Sequence, residues 1–82
     1  MQERSRTKDE SFMLHLYEEA LKQPEMDTPL DRYYIGNLSG LQQRGVDAIC
    51  QLLIRANFIK KHGEIEVTIT PQGIRLVKSL KE

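Results

Sequence analysis

In 82 residues the chain has one cysteine, no tryptophan, three prolines and no long apolar run. A single thiol, Cys50, excludes an internal disulfide and leaves a cysteine-rich metal site without ligands. The only histidines are His15 and His62, so no metal cluster or cofactor is expected. No stretch reaches the ~18 apolar residues that a membrane span needs. The opening residues, MQERSRTKDE, are charged and lack the apolar segment of a secretory signal. These absences together point to a cytoplasmic protein with no membrane partner. Net charge is absent too, with twelve basic and twelve acidic groups, which by itself reads against a nucleic-acid partner. The distribution reads differently: residues 1–31 carry four basic and eight acidic groups, and residues 32–82 the reverse. Such asymmetry marks either one charged face or a chance imbalance in a small sample.

What is present is periodicity. The chain length suits one small domain over 1–82, with residues 1–7 flexible. Thr7-Lys8-Asp9-Glu10 fits a capping box, and Met13, Leu16, Tyr17 and Ala20 follow at helix spacing, flanked by Phe12 and Leu21. This predicts a helix over 8–22, ended before Pro24. A short helix over 31–39 is expected next, capped by Asp31, with Ile35 and Leu38 inward. Residues 42–56 hold the strongest signal. Val46, Ile49, Cys50 and Leu53 form an apolar stripe, widened by Leu52 and Ala56, with Arg44, Asp47, Gln51 and Arg55 opposite. Asn57 stands where a left-handed cap is wanted.

Residues 58–69 read as a hairpin. A loop of Lys61, His62 and Gly63 pairs Ile59 with Ile65 and Lys60 with Glu64, matching apolar to apolar and charge to charge. The stretch EVTITPQGIRLV then changes period. Val67 and Ile69 alternate as in a half-buried strand, whereas Ile74, Val77 and Leu80 recur every third residue. Thr70 caps and Pro71 opens a last helix over 71–80.

The expected fold is mainly α with a small β-hairpin, in the order α-α-α-β-β-α. Gly36, Gly40 and Val46 suit a helix-turn-helix. A small residue lets the second helix cross close, a glycine serves the turn, and a branched residue packs back. Ser39 departs from that pattern, where an apolar residue is usual.

On these residues the chain resembles the winged helix-turn-helix family, in particular small bacterial regulators of the MarR and PadR kind. The resemblance is carried by GLQQRGVDAICQLLIRANFIKK (40–61) and VTITPQGIRL (67–76), and spans roughly residues 8–80. Asn57-Phe58-Ile59 stands where Gly-Leu-Ile is common in that family. The resemblance implies a transcriptional regulator whose third helix enters the major groove of duplex DNA. It places Gln42, Gln43, Arg44, Asp47, Ala48 and Gln51 toward the groove. Lys60, Lys61 and His62 would sit at the wing tip near phosphates or the minor groove, and Arg32 would touch backbone phosphate. Useful affinity from one small module usually requires a dimer. Helices 1 and 4 are the candidate dimer elements, with Ile74, Leu76, Val77 and Leu80 as the candidate apolar surface. A chain this short is expected to lack a separate ligand-sensing domain.

Simpler readings stand beside these. Arg44, Asp47, Gln51 and Arg55 also fit an ordinary solvated face, with Arg44 and Asp47 an i,i+3 pair. Glu64 and Glu66 would neutralise Lys60 and Lys61 within the wing. Cys50 on the apolar stripe is a small core residue. Of the adjacent Tyr33 and Tyr34, about 100° apart on a helix, one packs inward and the other is free for contact. No nucleophile–base pair, phosphate loop or paired carboxylates point to an enzyme. The alternative function is a winged helix used for protein–protein contact, without DNA.

Overall fold

The hydroxyl of Thr7 accepts from the backbone N–H of Glu10, and the Glu10 carboxylate accepts from the N–H of Thr7 at 3.1 Å. Two of the unpaired donors at the helix start are thereby satisfied, and α1 runs Lys8–Leu21. The computed structural model describes residues 6–81. The flexibility expected of residues 1–7 falls largely outside them. Phe12, Met13, Leu16 and Ala20 are wholly buried along one side of α1. Phe12 is therefore part of the core and not its flank, while Leu21, past the last core turn, is 56% exposed.

After the turn at residues 22–29, Leu30–Asp31 forms a short strand, β1, that no sequence period announces. Asp31 also caps the next helix, α2 (Arg32–Leu38), by accepting from the N–H of Tyr33 at 2.8 Å. Ile35 is buried, but Leu38, expected inward, is 40% exposed. The helix ends there, and the chain turns away through Gly40 at φ +75°. In this turn the N–H of Leu41 bonds back to the carbonyl of Gly36 at 2.8 Å.

Helix α3 (Gln43–Arg55) buries Val46, Cys50 and Leu53, with Ile49 and Ile54 half-buried against the same core. Leu52 and Ala56 do not widen this stripe: both are exposed, Leu52 to 59%. Asn57 takes φ +65° directly after the helix.

The hairpin forms in a register other than the expected one. Strands β2 (Ile59–His62) and β3 (Glu66–Ile69) pair Ile59 with Ile69, Lys60 with Thr68, Lys61 with Val67 and His62 with Glu66. The loop is residues 63–65, so Gly63 (φ +69°) is its first residue and not its last. Pairing Ile59 with Ile65 satisfies one local contact. The actual register aligns all four residues of both strands and sets the buried Ile59 opposite the buried Ile69. Ile65 is left 46% exposed in the turn. β1 adds to the far edge, with Leu30 opposite Val67 and Asp31 opposite Glu66, giving an antiparallel sheet of order β1-β3-β2.

Helix α4 (Pro71–Lys81) starts at a buried cap. The Thr70 hydroxyl donates to the carbonyl of Asn57 at 2.6 Å and accepts from the N–H of Gly73 at 3.0 Å. At Gly73 a β-carbon would lie 2.2 Å from the carbonyl oxygen of Phe58, so only glycine lets α4 close onto the start of β2. Among the described residues the result is a mainly helical protein with four helices and a small three-stranded antiparallel sheet. Its core lies between the helices and the face of the sheet that carries Ile59, Val67 and Ile69. Among the described residues no helix is long and apolar enough to cross a membrane.

Candidate nucleic-acid interface

The site is built on the crossing of α2 and α3. A β-carbon on Gly36 would lie 2.1 Å from Cγ2 of Val46, so the helices meet at a glycine against a branched side chain. This close contact turns the polar side of α3 outward. Gln42, Gln43, Arg44, Ala48, Gln51 and Arg55 are all exposed. With 100° per residue, Arg44, Ala48, Gln51 and Arg55 fall within about 60° of arc. That stripe bears two guanidinium groups and no acid.

Asp47 lies at the margin of the stripe, and the expected pair with Arg44 is replaced by two others. Its Oδ1 accepts from the Tyr33 hydroxyl at 2.6 Å and sits 3.9 Å from Nη1 of Arg32. The bond to Asp47, with burial second, raises the Tyr33 phenol above its ordinary value, since losing the proton would set two anions side by side. Tyr33 is thus the inward member of the tyrosine pair, and Tyr34 is 52% exposed.

Arg32 is not free for a phosphate, contrary to expectation. It is buried, 8% exposed, and its Nε donates to the carbonyl of Ile65 at 2.8 Å and its Nη2 to that of Glu64 at 3.2 Å. The cation is taken up by the hairpin turn, where the Ile65 carbonyl also accepts from the backbone N–H of Arg32 at 3.4 Å. One guanidinium therefore ties α2, the flank of α3 and the turn at 63–65 together.

Lys60, Lys61 and His62, expected together at a wing tip, do not form one cluster. Successive strand residues point to opposite faces, so Lys60 and His62 project away from the core face that Ile59 occupies. They line an open groove of about 670 Å³ with Thr68, Glu25 and Asp27. Lys61 stays on the side of Ile59 and Val67. His62 stands opposite Glu66, and Lys60 opposite the neutral Thr68 rather than Glu64. The charge balancing expected of Glu64 and Lys60 across the strands is therefore not made.

The residues expected to receive a second copy are largely used within the chain. Val77 is wholly buried, and Ile74 and Leu76 pack on the core where α4 meets α1. Leu80 is half-buried, and its carbonyl accepts from Arg6 at 3.3 Å. Periodicity alone identifies an apolar face but not whether the chain itself covers it. Conversely, Arg55, outside the expected contact set, is exposed on the same stripe as Arg44, eleven residues away.

No family model, curated protein or solved structure matches the chain. The site therefore has to be interpreted from its own geometry. Among the described residues no group of three or more histidine, cysteine or acidic side chains is placed to hold a metal ion. The exposed surface of α3 offers amide and guanidinium donors in a row along a helix that projects from the core. Such donors suit base edges and phosphate oxygens.

Proposed function

We propose that the chain is a winged helix that binds duplex DNA, with α3 in the major groove and the hairpin as the wing, and that it acts as a small transcriptional regulator. The observation that carries this reading is the acid-free stripe of Arg44, Ala48, Gln51 and Arg55 on a helix held outward by the contact of Gly36 with Val46. Asp47, the one acid of α3, is engaged by Tyr33 and Arg32 rather than left as a free anion. Lys61, on the helix side of the sheet, is the wing cation best placed to join α3 at a duplex.

A second reading, a winged helix that binds a protein and no DNA, draws on a different observation. Leu52 is 59% exposed beside the stripe, and Lys60 and His62 share a groove with Glu25 and Asp27.

Titration with mixed-sequence duplex DNA at several salt concentrations separates the two. Phosphate binding predicts affinity that falls steeply with salt, and weaker binding by Arg44→Ala and Lys61→Ala. If the folded protein at roughly 50 μM binds no duplex at low salt, a concentration within the range of non-specific association, the DNA reading is rejected in favour of the protein partner.

A further inference from the structure

Within α3, Asp47 is the only acid. An unpaired carboxylate there would face a phosphate-rich surface and repel it. One donor and one cation meet it, and both approach the same oxygen. The Tyr33 hydroxyl lies 2.6 Å from Oδ1, and Nη1 of Arg32 lies 3.9 Å from it. The side chain of Arg32 is itself 10% exposed and anchored on two hairpin carbonyls, so its charge is fixed in place. The Asp47 side chain remains 51% exposed, which leaves Oδ2 to a donor from outside. Asp47 follows Gln43 and Arg44 by about one turn and precedes Gln51 by another, so it borders the surface that DNA would meet.

Building on the DNA reading above, we propose that Asp47 is a specificity-determining residue that selects cytosine in the major groove, with Tyr33 and Arg32 as the positioning residues. The chemistry follows from what each base edge presents. A carboxylate oxygen only accepts, and cytosine offers its N4 amine as a donor with no competing acceptor. Guanine presents two acceptors, and thymine an acceptor and a methyl group, so both are rejected. Adenine offers a donor next to an acceptor and ranks between them. Tyr33 and Arg32 hold Oδ1, which fixes the rotamer of the carboxylate and reduces its repulsion of phosphate without using its second oxygen.

The test is selection of bound duplexes from a library with a randomised central segment, by the wild type and by variants whose folding is checked by thermal melting. The wild type is expected to prefer cytosine over guanine at one position on the order of tenfold, the usual scale of a single base contact. Asp47→Ala should flatten that position alone. Asp47→Asn, its Oδ1 still held by Tyr33, presents an amide donor in place of the acceptor and should move the preference from cytosine to guanine, whose edge offers two acceptors. Tyr33→Phe should reduce the preference while leaving the melting temperature nearly unchanged, and Lys61→Ala should weaken all sequences equally. If Asp47→Ala keeps the wild-type preference, or binds every sequence more tightly to the same degree, Asp47 only repels and the proposal is overturned while the DNA reading stands. If the folded wild type selects no duplex at all, the DNA reading falls and this proposal falls with it.

Discussion

Gly36 and Val46 meet so closely that a β-carbon on the glycine would lie 2.1 Å from Cγ2 of the valine. The pair sets how near α3 can approach α2, and so how far the outer side of α3 projects from the core. A valine in a helix has one strongly preferred rotamer, so it cannot turn aside. Gly36→Ala gains up to ~1 kcal/mol in helix propensity but overpacks the crossing, which typically costs 1–3 kcal/mol. A net loss of up to about 2 kcal/mol is expected in urea unfolding. Removing the valine methyls should relieve the clash, so Gly36→Ala with Val46→Ala should be more stable than the sum of the single changes. Additive losses would mean that the two residues do not set the crossing.

Arg32 reaches the hairpin turn through two carbonyls, those of Ile65 and Glu64. Arg32→Met keeps much of the apolar stem and removes these bonds. Hydrogen bonds to a charged group are typically worth about 1.5–3 kcal/mol, so a loss near the lower end is expected, because residues 64 and 65 are themselves exposed. The effect should be local as well as global. Amide exchange across residues 63–66 should accelerate more than that of α1, and equal acceleration at both places would show that the guanidinium does not hold the turn.

Thr70 is 5% exposed, and its hydroxyl joins the end of α3 to the start of α4. Thr70→Val has nearly the same shape but cannot donate to Asn57 or accept from Gly73. Losing a helix cap costs roughly 0.5–2 kcal/mol, and an unsatisfied buried group adds to this. We expect a loss of about 2 kcal/mol, with Thr70→Ser retaining most of the stability. A Thr70→Val protein that unfolds at the wild-type urea midpoint would rule this bridge out.

Burial pushes the Cys50 thiol up to about 11, with the nearby Arg32 lowering it only in part. The folded value lies above the unfolded one near 9, so the thiol favours the folded state while it is protonated. That contribution is intact below about pH 9 and is lost progressively as pH rises through the folded value. Tyr33, also raised, acts in the same direction. Unfolding free energy should therefore decline between roughly pH 9 and 11, by an amount on the order of 2–3 kcal/mol from the thiol. Cys50→Ala should flatten the alkaline decline, measured relative to its own value at pH 7. The same burial predicts that iodoacetamide at pH 8 modifies Cys50 only as fast as the protein opens. Rapid labelling of the folded protein would contradict both expectations.

Local chemistry made much of the architecture legible. The capping box at Thr7 and Glu10, the cap at Asp31, positive φ at Asn57 and the Thr70-Pro71 helix start each depend on groups a few residues apart, which a sequence displays directly. The amphipathic stripe of α3 was legible for the same reason, since its period is intrinsic to the helix. The failures share a cause at longer range. Strand β1 is only two residues and becomes a strand because β3 offers an edge. The hairpin register depends on which isoleucine the helices cover, so the local match of Ile59 with Ile65 lost to Ile69.

The same division runs through the candidate site. Which residues of α3 form its polar side followed from spacing, and Arg44, Gln51 and Arg55 are exposed. The partner of each charge did not follow, because it depends on elements brought together from elsewhere in the chain. Arg32 passed from supposed phosphate contact to buried staple, and Asp47 passed from i,i+3 partner of Arg44 to acceptor for Tyr33. The sequence by itself determined the helix periods and caps, which are properties of neighbours along the chain. Only the tertiary structure decided the register, the division of Lys60, Lys61 and His62 between two faces of the hairpin and the pairing of Asp47. Those depend on competition among distant groups for the same space and the same donors.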